Sequence, residues 1–580
     1  MQKYILLLGL ILGTFGSGLA DFIDLQDTWL FHTGDDLAWR QMDFPDSSWE
    51  YIGFPQVWET AGFSNYSGYA WYRKTVFIPE AWQFDQFVQL KNSLVLELGH
   101  IDDVEQTFFN EHLIGQTGGF PPHFQAPQTS FRQYKIPLDQ VRWGAENLIA
   151  IRVYDAEENG GFYAGQPRLR TPSIIDDCTV ELELDQMQHV YRMGEPVFAW
   201  VSIQNNSTES LAASLEFTLK SVRGTIVDQS QQAVEVLPGK SRRTQIRFRA
   251  RIPDYYQLWL RILDAEELVF ETHRNLGYNL EQLNAAPTAE ADFAEFWART
   301  RKQLDLIPLQ TQIERIDSLE ILNRHVFRVR LLSFDNVYIY GWYLVPKGRG
   351  NFPTILNIHN QPFIYNSRME RLFPEFALFL LDVRGFGSSR SEVDPGNPGY
   401  FVWNISDKEK YFCRGAILDC IRAVDFLTSR SEVDTSRLGV IGNGLGGGLA
   451  LAAAALDSRV KAVAADSPLL MALDVVTKLT ILPYHEIVQY LIAHPSEKKE
   501  IFKTLSYYDL INLAPLIRTP VLMSVMLEDR ISPPISAAIV YNRIQGDKMQ
   551  KFYPRAGHGF TSNAHETMKA EWIKQQLKIK

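Results

Sequence analysis

Residues 437 to 450 read Arg-Leu-Gly-Val-Ile-Gly-Asn-Gly-Leu-Gly-Gly-Gly-Leu-Ala: an apolar run, a glycine-rich corner and the start of an Ala/Leu-rich segment. That order predicts strand, sharp turn and helix, and it commits this part of the chain to an α/β layout, because the strand needs a sheet. The corner Gly442-Asn443-Gly444-Leu445-Gly446 has the spacing of Gly-x-Ser-x-Gly, the elbow that lifts a nucleophile above a sheet. Its centre is Gly444, which has no side chain with which to attack. A second local reading exists. Gly442, Gly444 and Gly447 satisfy Gly-x-Gly-x-x-Gly, and Asp466 follows at about the twenty-residue distance of a ribose-binding acid, as in a dinucleotide-binding turn.

The flanking sequence favours the elbow. Asp292–Leu306 reads as an amphipathic helix, and Val326–Leu332, Val337–Val345, Thr354–Ile358 and Leu378–Asp382 as strands, so the glycine corner falls late in its sheet rather than opening it. Buried strands alternating with helices predict a doubly wound, mostly parallel sheet. A hydrolytic elbow is followed in the chain by an acid and then a histidine, each in a loop after a strand. Val521–Leu527 is an apolar strand leading to Asp529, and Lys551–Tyr553 leads to the glycine-flanked His558. The backbone N–H of Leu445, at the start of the helix, would be one oxyanion donor, and Gln361, in the loop after Thr354–Ile358, a second.

Upstream, the pattern is different. From Asp21 to about residue 173, short alternating runs (Tyr69–Ile78, Leu94–Leu98, Val104–Asn110, Leu148–Tyr154) are broken by Gly, Pro, Asn and Asp, which predicts an antiparallel jelly roll. Seven of the 13 tryptophans lie here: Trp29, Trp39, Trp49, Trp58, Trp71, Trp82 and Trp143. They suit either a packed core or a face on which sugars stack, the core being the commoner use. Residues 174–275 carry a second β pattern of immunoglobulin-like length, and residues 276–290 read as a linker.

Composition narrows the partners. At 580 residues the chain exceeds one hydrophobic core, and its net charge of −11 offers no basic surface for nucleic acid. Met1–Ala20 has the cation, apolar stretch and small-residue end of an export signal, so a secreted or periplasmic protein with no membrane span after its removal is expected. Three cysteines, Cys178, Cys413 and Cys420, are too few for a disulfide framework, and the last two read as core residues of one helix. His485-Glu486-Ile487-Val488-Gln489 misses the zinc-protease pattern at its last position, so neither a metal nor a cofactor is expected. Self-association is compatible with this composition.

Two resemblances sharpen the reading. Phe44-Pro45-Asp46-Ser47-Ser48-Trp49, Gly68-Tyr69-Ala70-Trp71-Tyr72-Arg73-Lys74 and Asn110-Glu111-His112-Leu113-Ile114-Gly115 resemble the galactose-binding-like, sugar-binding domain at the N-terminus of β-galactosidase-like glycoside hydrolases. Residues 291–580 resemble the acetyl xylan esterase / cephalosporin-C deacetylase family of α/β-hydrolases. The motifs are Asp292-Phe293-Ala294-Glu295-Phe296-Trp297, Tyr340-Gly341-Trp342-Tyr343, Asp382-Val383-Arg384-Gly385-Phe386-Gly387-Ser388-Ser389 and Leu505-Ser506-Tyr507-Tyr508-Asp509. The second resemblance implies a serine deacetylase with Asp529 and His558 as triad partners. It also exposes two departures: Gly444 and Leu445 stand where the family has Ser-Gln, and His359-Asn360-Gln361 where it has His-Gly-Tyr.

The expectation is therefore an exported carbohydrate-esterase-like protein that binds acetylated or neutral carbohydrate without efficient turnover. The alternative is an active deacetylase in which His558 activates a water, and a minor alternative is a dinucleotide-binding protein.

Overall fold

A computed structural model describes residues 21–579, except 64–65, 123, 125–130, 157–159, 265, 317–322, 349, 360–370, 394–398 and 480–483. The expected export signal and Gln361 lie outside the described residues. Among the described residues, no helix is long and apolar enough to cross a membrane.

The N-terminal half is almost entirely β. Glu50–Ile52, Trp29–Thr33, Gly68–Ile78, Ala145–Asp155, Val104–Phe109 and His112–Thr117 form one antiparallel sheet in that order. Ser93–Asp102 is the hub of a second sheet, pairing with Arg132–Pro137, Gly161–Ala164 and Arg168–Arg170. Alternation puts Tyr72 and Ile151 of the first sheet against Leu94, Leu96 and Leu98 of the second, in one core with Trp29, Trp58 and Trp82. Trp49 and Trp71 fill a smaller core on the outer face, with Trp39 packed against it, and Trp143 packs on the main core. The tryptophans are thus spent on packing, and the sugar-stacking use of these seven gives way to the core.

A second pair of sheets follows. Cys178–Leu184, Val197–Asn205 and Ser241–Phe248 form three strands, and Val190–Tyr191, Glu267–Tyr278, Asp254–Asp264, Leu211–Ser221 and Ile226–Val236 form five. Leu182, Val201 and Ile203 from one sheet meet Leu215, Phe217, Leu260 and Ile262 from the other. The segment expected as a linker is packed rather than free. Glu267–Tyr278 runs into it as a strand, Leu280 and Leu283 are buried in the C-terminal core, and the Asn542 side chain donates to both of their carbonyls at 2.7 and 2.8 Å.

The C-terminal half is built on nine strands in the order Thr311–Arg315, Arg324–Leu332, Tyr338–Pro346, Ala377–Asp382, Phe352–His359, Val433–Asn443, Ala462–Asp466, Val521–Met526 and Lys548–Tyr553. The first four pair antiparallel, and from Ala377–Asp382 onward every pairing is parallel. Helices cover both faces. Leu356 and Ile358 point toward the helices Phe412–Thr428 and Leu445–Leu456, whereas Ile355 points toward Ala570 and Ile573 of Asn563–Gln576. This is the mixed, doubly wound layout of an α/β-hydrolase. Its parallel strands bring their carboxyl ends, and the loops after them, to one edge, where such sheets place their sites.

Candidate active site

The glycine corner forms the elbow. Val433–Asn443 ends the strand, Gly444 caps the helix with φ 56° and ψ −122°, and Leu445 is the first residue of Leu445–Leu456. That backbone conformation is strained for any residue with a Cβ, and glycine adopts it freely. The neighbouring glycines serve a different purpose. A Cβ on Gly442 would strike the carbonyl of Gly446, one on Gly446 would strike the carbonyl oxygen of Ile358, and one on Gly448 that of Leu469. They let the helix lie directly on the strands, so the run is a packing device. The N–H of Leu445 stands in the first turn, where it has no intrahelical acceptor.

These contacts dispose of the dinucleotide reading. The N–H of Gly444, which would have cradled a phosphate, donates to the carbonyl of Asp466 at 2.9 Å. The Asp466 side chain is buried and accepts from His565 Nε2 at 3.0 Å, from Lys569 Nζ at 2.6 Å and from the Ser524 hydroxyl. Buried among these partners, it is not presented to a ribose. Burial alone would raise its pKa, but the Lys569 charge and the His565 hydrogen bond outweigh that and hold the carboxyl well below the usual range. Asp466, His565 and Glu566 lie close enough to hold a cation. Lys569 already bridges the two carboxylates, at 2.6 and 2.9 Å, so an ammonium fills that role.

Asp529 and His558 meet. His558 Nδ1 lies 2.9 Å from Asp529 Oδ2, and the other carboxylate oxygen accepts from the N–H groups of Ile531 and Ser532 at 2.9 and 2.7 Å. Asp529 is buried, whereas the His558 side chain is 21% exposed. An ionised carboxylate can only accept, so Nδ1 carries the ring proton and Nε2 is the nitrogen able to take one. The loops bearing the pair continue the strand pairing, with Leu527 N to Tyr553 O and Glu528 N to Ala556 O, both at 3.0 Å.

Hydrogen bonds connect this pair to the elbow. Leu469 N donates to Gly444 O at 3.0 Å, Ser532 Oγ donates to Pro468 O at 2.6 Å, and Ser532 N reaches Asp529. The cysteines offer no substitute nucleophile. Cys413 and Cys420 are buried on the helix Phe412–Thr428, and burial pushes the Cys413 thiol up to about 12.

The acid loop is also braced from the β half, which sequence reading missed. Asn275 donates to Leu527 O and Glu528 Oε2, His273 Nε2 lies 3.3 Å from Glu528 Oε2, and Arg530 stacks 5.6 Å from the Tyr163 ring. No local signal could have found these partners, since about 250 residues separate Asn275 from Glu528.

A family model for acetyl xylan esterase matches residues 276–576, more than half of the chain. The chain belongs to the acetyl xylan esterase family. An acetyl esterase of Xylanibacter ruminicola is 24% identical over 323 residues, covering 53% of this chain and 72% of that protein. An acetyl xylan esterase structure from a Paenibacillus species is 31% identical, with a TM-score of 0.48, over 51% of this chain and 98% of that one. A beta-galactosidase of Bacteroides ovatus is 26% identical over 155 residues, 24% of this chain and 16% of that protein. Both resemblances seen in the sequence thus have counterparts among known proteins.

Proposed function

We propose that this protein is an exported carbohydrate-esterase relative that binds acetylated or neutral carbohydrate beside Gly444, Asp529 and His558 without efficient turnover. One observation carries the reading: the elbow has kept its nucleophile-bearing backbone, φ 56° and ψ −122°, around a residue that has no nucleophile. In this reading Leu445 N–H and Gln361 face the ester carbonyl, and His558 has no hydroxyl to deprotonate. Glycine relieves a strain of about 1–3 kcal/mol that is worth keeping only where a side chain reacts. Residues 1–20 act as the export signal, 21–173 as a galactose-binding-like jelly roll, 174–275 as an immunoglobulin-like sandwich, 276–290 as the connection and 291–580 as the esterase-type unit.

The 2.9 Å pairing of His558 with Asp529 favours a second reading, a deacetylase in which His558 deprotonates a water held where the serine oxygen would be. Without a triad member, about 10³–10⁴ of acceleration over water survives in well-studied hydrolases, little for a dedicated enzyme.

A chromogenic acetate ester separates the two. For the binding reading, Gly444→Ser gains acetate release that the natural protein lacks, and His558→Ala in that background removes it. Turnover by the natural protein that vanishes in His558→Ala would overturn it in favour of the water mechanism.

A further inference from the structure

The outer face of the three-stranded sheet in the second sandwich carries two aromatics among its polar residues. Along Val197–Asn205, Val197, Ala199, Val201 and Ile203 are buried, so Phe198 and Trp200 point outward at successive positions of the central strand. Trp200 pairs with Glu183 on one neighbouring strand and Gln245 on the other. The Arg243 guanidinium lies 5.3 Å over the Trp200 ring, and Arg247 lies 5.8 Å over Phe198. Two adjacent outward aromatics, held by stacked cations, form an ordered platform.

This face opens into a cavity of about 550 Å³ between the sandwich and the loop that carries His558. Its walls include Glu183, Asp185, Trp200 and Arg243 from the sandwich, and Arg555 and Phe560 from the loop. The side chains are held in place: Asp185 accepts from the Tyr191 hydroxyl at 2.7 Å and from Phe198 N at 3.2 Å, and the Phe560 ring lies 5.0 Å from Tyr553. Phe560 is two residues from His558, so whatever fills the cavity lies beside the histidine loop.

The lining selects a chemistry. Aromatic rings suit the C–H face of a pyranose, Asp185 accepts and Arg555 donates, and the Glu183–Arg243 pair, 3.6 Å apart, keeps acceptor and donor capacity on its two sides, as a row of hydroxyls requires. The charges balance, which disfavours a strongly anionic or cationic ligand, and the volume is typical of small-ligand sites at domain interfaces.

We infer that this cleft is an accessory site for a neutral polysaccharide chain, held by the second sandwich next to the His558 loop. The inference rests on the carbohydrate reading of the elbow and extends it: the cleft holds the backbone of the chain while a substituent reaches Gly444.

The test is calorimetric titration of the full-length protein with acetyl-free xylohexaose, cellohexaose and mannohexaose. At least one of them binds, and Trp200→Ala and Arg555→Ala each weaken that binding by about tenfold or more. Tyr51→Ala, which removes a 74% exposed ring on the first sandwich, leaves it unchanged. Binding of none of the three, equal affinity in the natural protein and both cleft variants, or an equal loss in Tyr51→Ala would each overturn the inference. Because these oligosaccharides carry no ester, the outcome is independent of the Gly444→Ser acetate assay. An inert serine variant with intact cleft binding removes only the elbow reading, and the reverse result removes only the cleft.

Discussion

Asn275 donates to the carboxylate of Glu528 at 2.8 Å and, through the same nitrogen, to the Leu527 carbonyl at 2.7 Å. One side chain of the second sandwich thus fixes the residue before Asp529. Tyr163 of the first sandwich holds the residue after it, through the Arg530 cation. The loop that orients His558 is therefore shaped by all three parts of the chain, and the β half contributes to the geometry of the candidate active site as well as flanking it.

Replacing Asn275 tests that brace. Asn275→Ala deletes two hydrogen bonds and leaves the Leu527 carbonyl short of a donor, at a cost of about 1–3 kcal/mol. Asn275→Asp costs more, because it sets a second carboxylate against Glu528. Thermal unfolding of the full chain should rank the melting temperatures natural, Ala, Asp from high to low. Identical curves for the natural protein and the Ala variant would show that the loop holds its own shape.

The elbow glycines should separate into two classes. Gly444→Ala takes on the backbone strain of a φ of 56°, about 1–3 kcal/mol. Gly446→Ala drives a Cβ into the Ile358 carbonyl, and Gly442→Ala drives one into the Gly446 carbonyl, where backbone has no rotamer by which to give way. Their cost is about 3 kcal/mol or more. Urea unfolding followed by circular dichroism checks the order, and a Gly444 variant less stable than the other two would reverse the assignment of roles.

Asp529 should matter only once a nucleophile is present. In the Gly444→Ser background, Asp529→Asn turns the His558 tautomer around and reduces ester turnover by about 10⁴. In the natural protein the same change leaves the rate of chromogenic ester hydrolysis where it was. A drop in the natural background would instead indicate that His558 already works on a water.

What could be read from sequence follows the range of the forces involved. The pairing of Asp529 with His558 was legible because each follows a strand, the first of them apolar, in the chain order that an elbow demands, and parallel strands carry them to one edge. The strand Ile226–Val236 was not, because it is polar along most of its length and buries only Val234 and Val236. The supposed linker misled through its Asn, Ala and Pro content, while Leu280 and Leu283 within it supply core packing. Asp466 fitted a ribose acid in a local window. Its true partners, His565 and Lys569, lie about a hundred residues further on, on one face of a helix that only the assembled sheet brings near. The glycine run had two local meanings, and the contacts of Gly442 and Gly446 across the sheet decide between them.

That buried cluster gives the last prediction. Asp466→Asn leaves His565 facing a neutral amide in the interior and the Lys569 ammonium with Glu566 alone, a loss of about 3 kcal/mol near neutral pH. The sign of the pH dependence follows from the direction of the shift. Lys569 and His565 hold the folded-state pKa of Asp466 below its unfolded value, so the ionised carboxylate stabilises the fold at pH above the unfolded pKa of about 3.9. The stabilisation is lost as pH falls from there through the folded-state value. An asparagine cannot titrate and resembles the protonated acid. Urea unfolding at pH 7, 5, 4 and 3 should therefore show a wide, constant gap between the natural protein and Asp466→Asn down to about pH 5, narrowing below pH 4. A gap that stays constant to pH 3, or widens there, would mean that the folded protein does not hold Asp466 as a charged partner of Lys569.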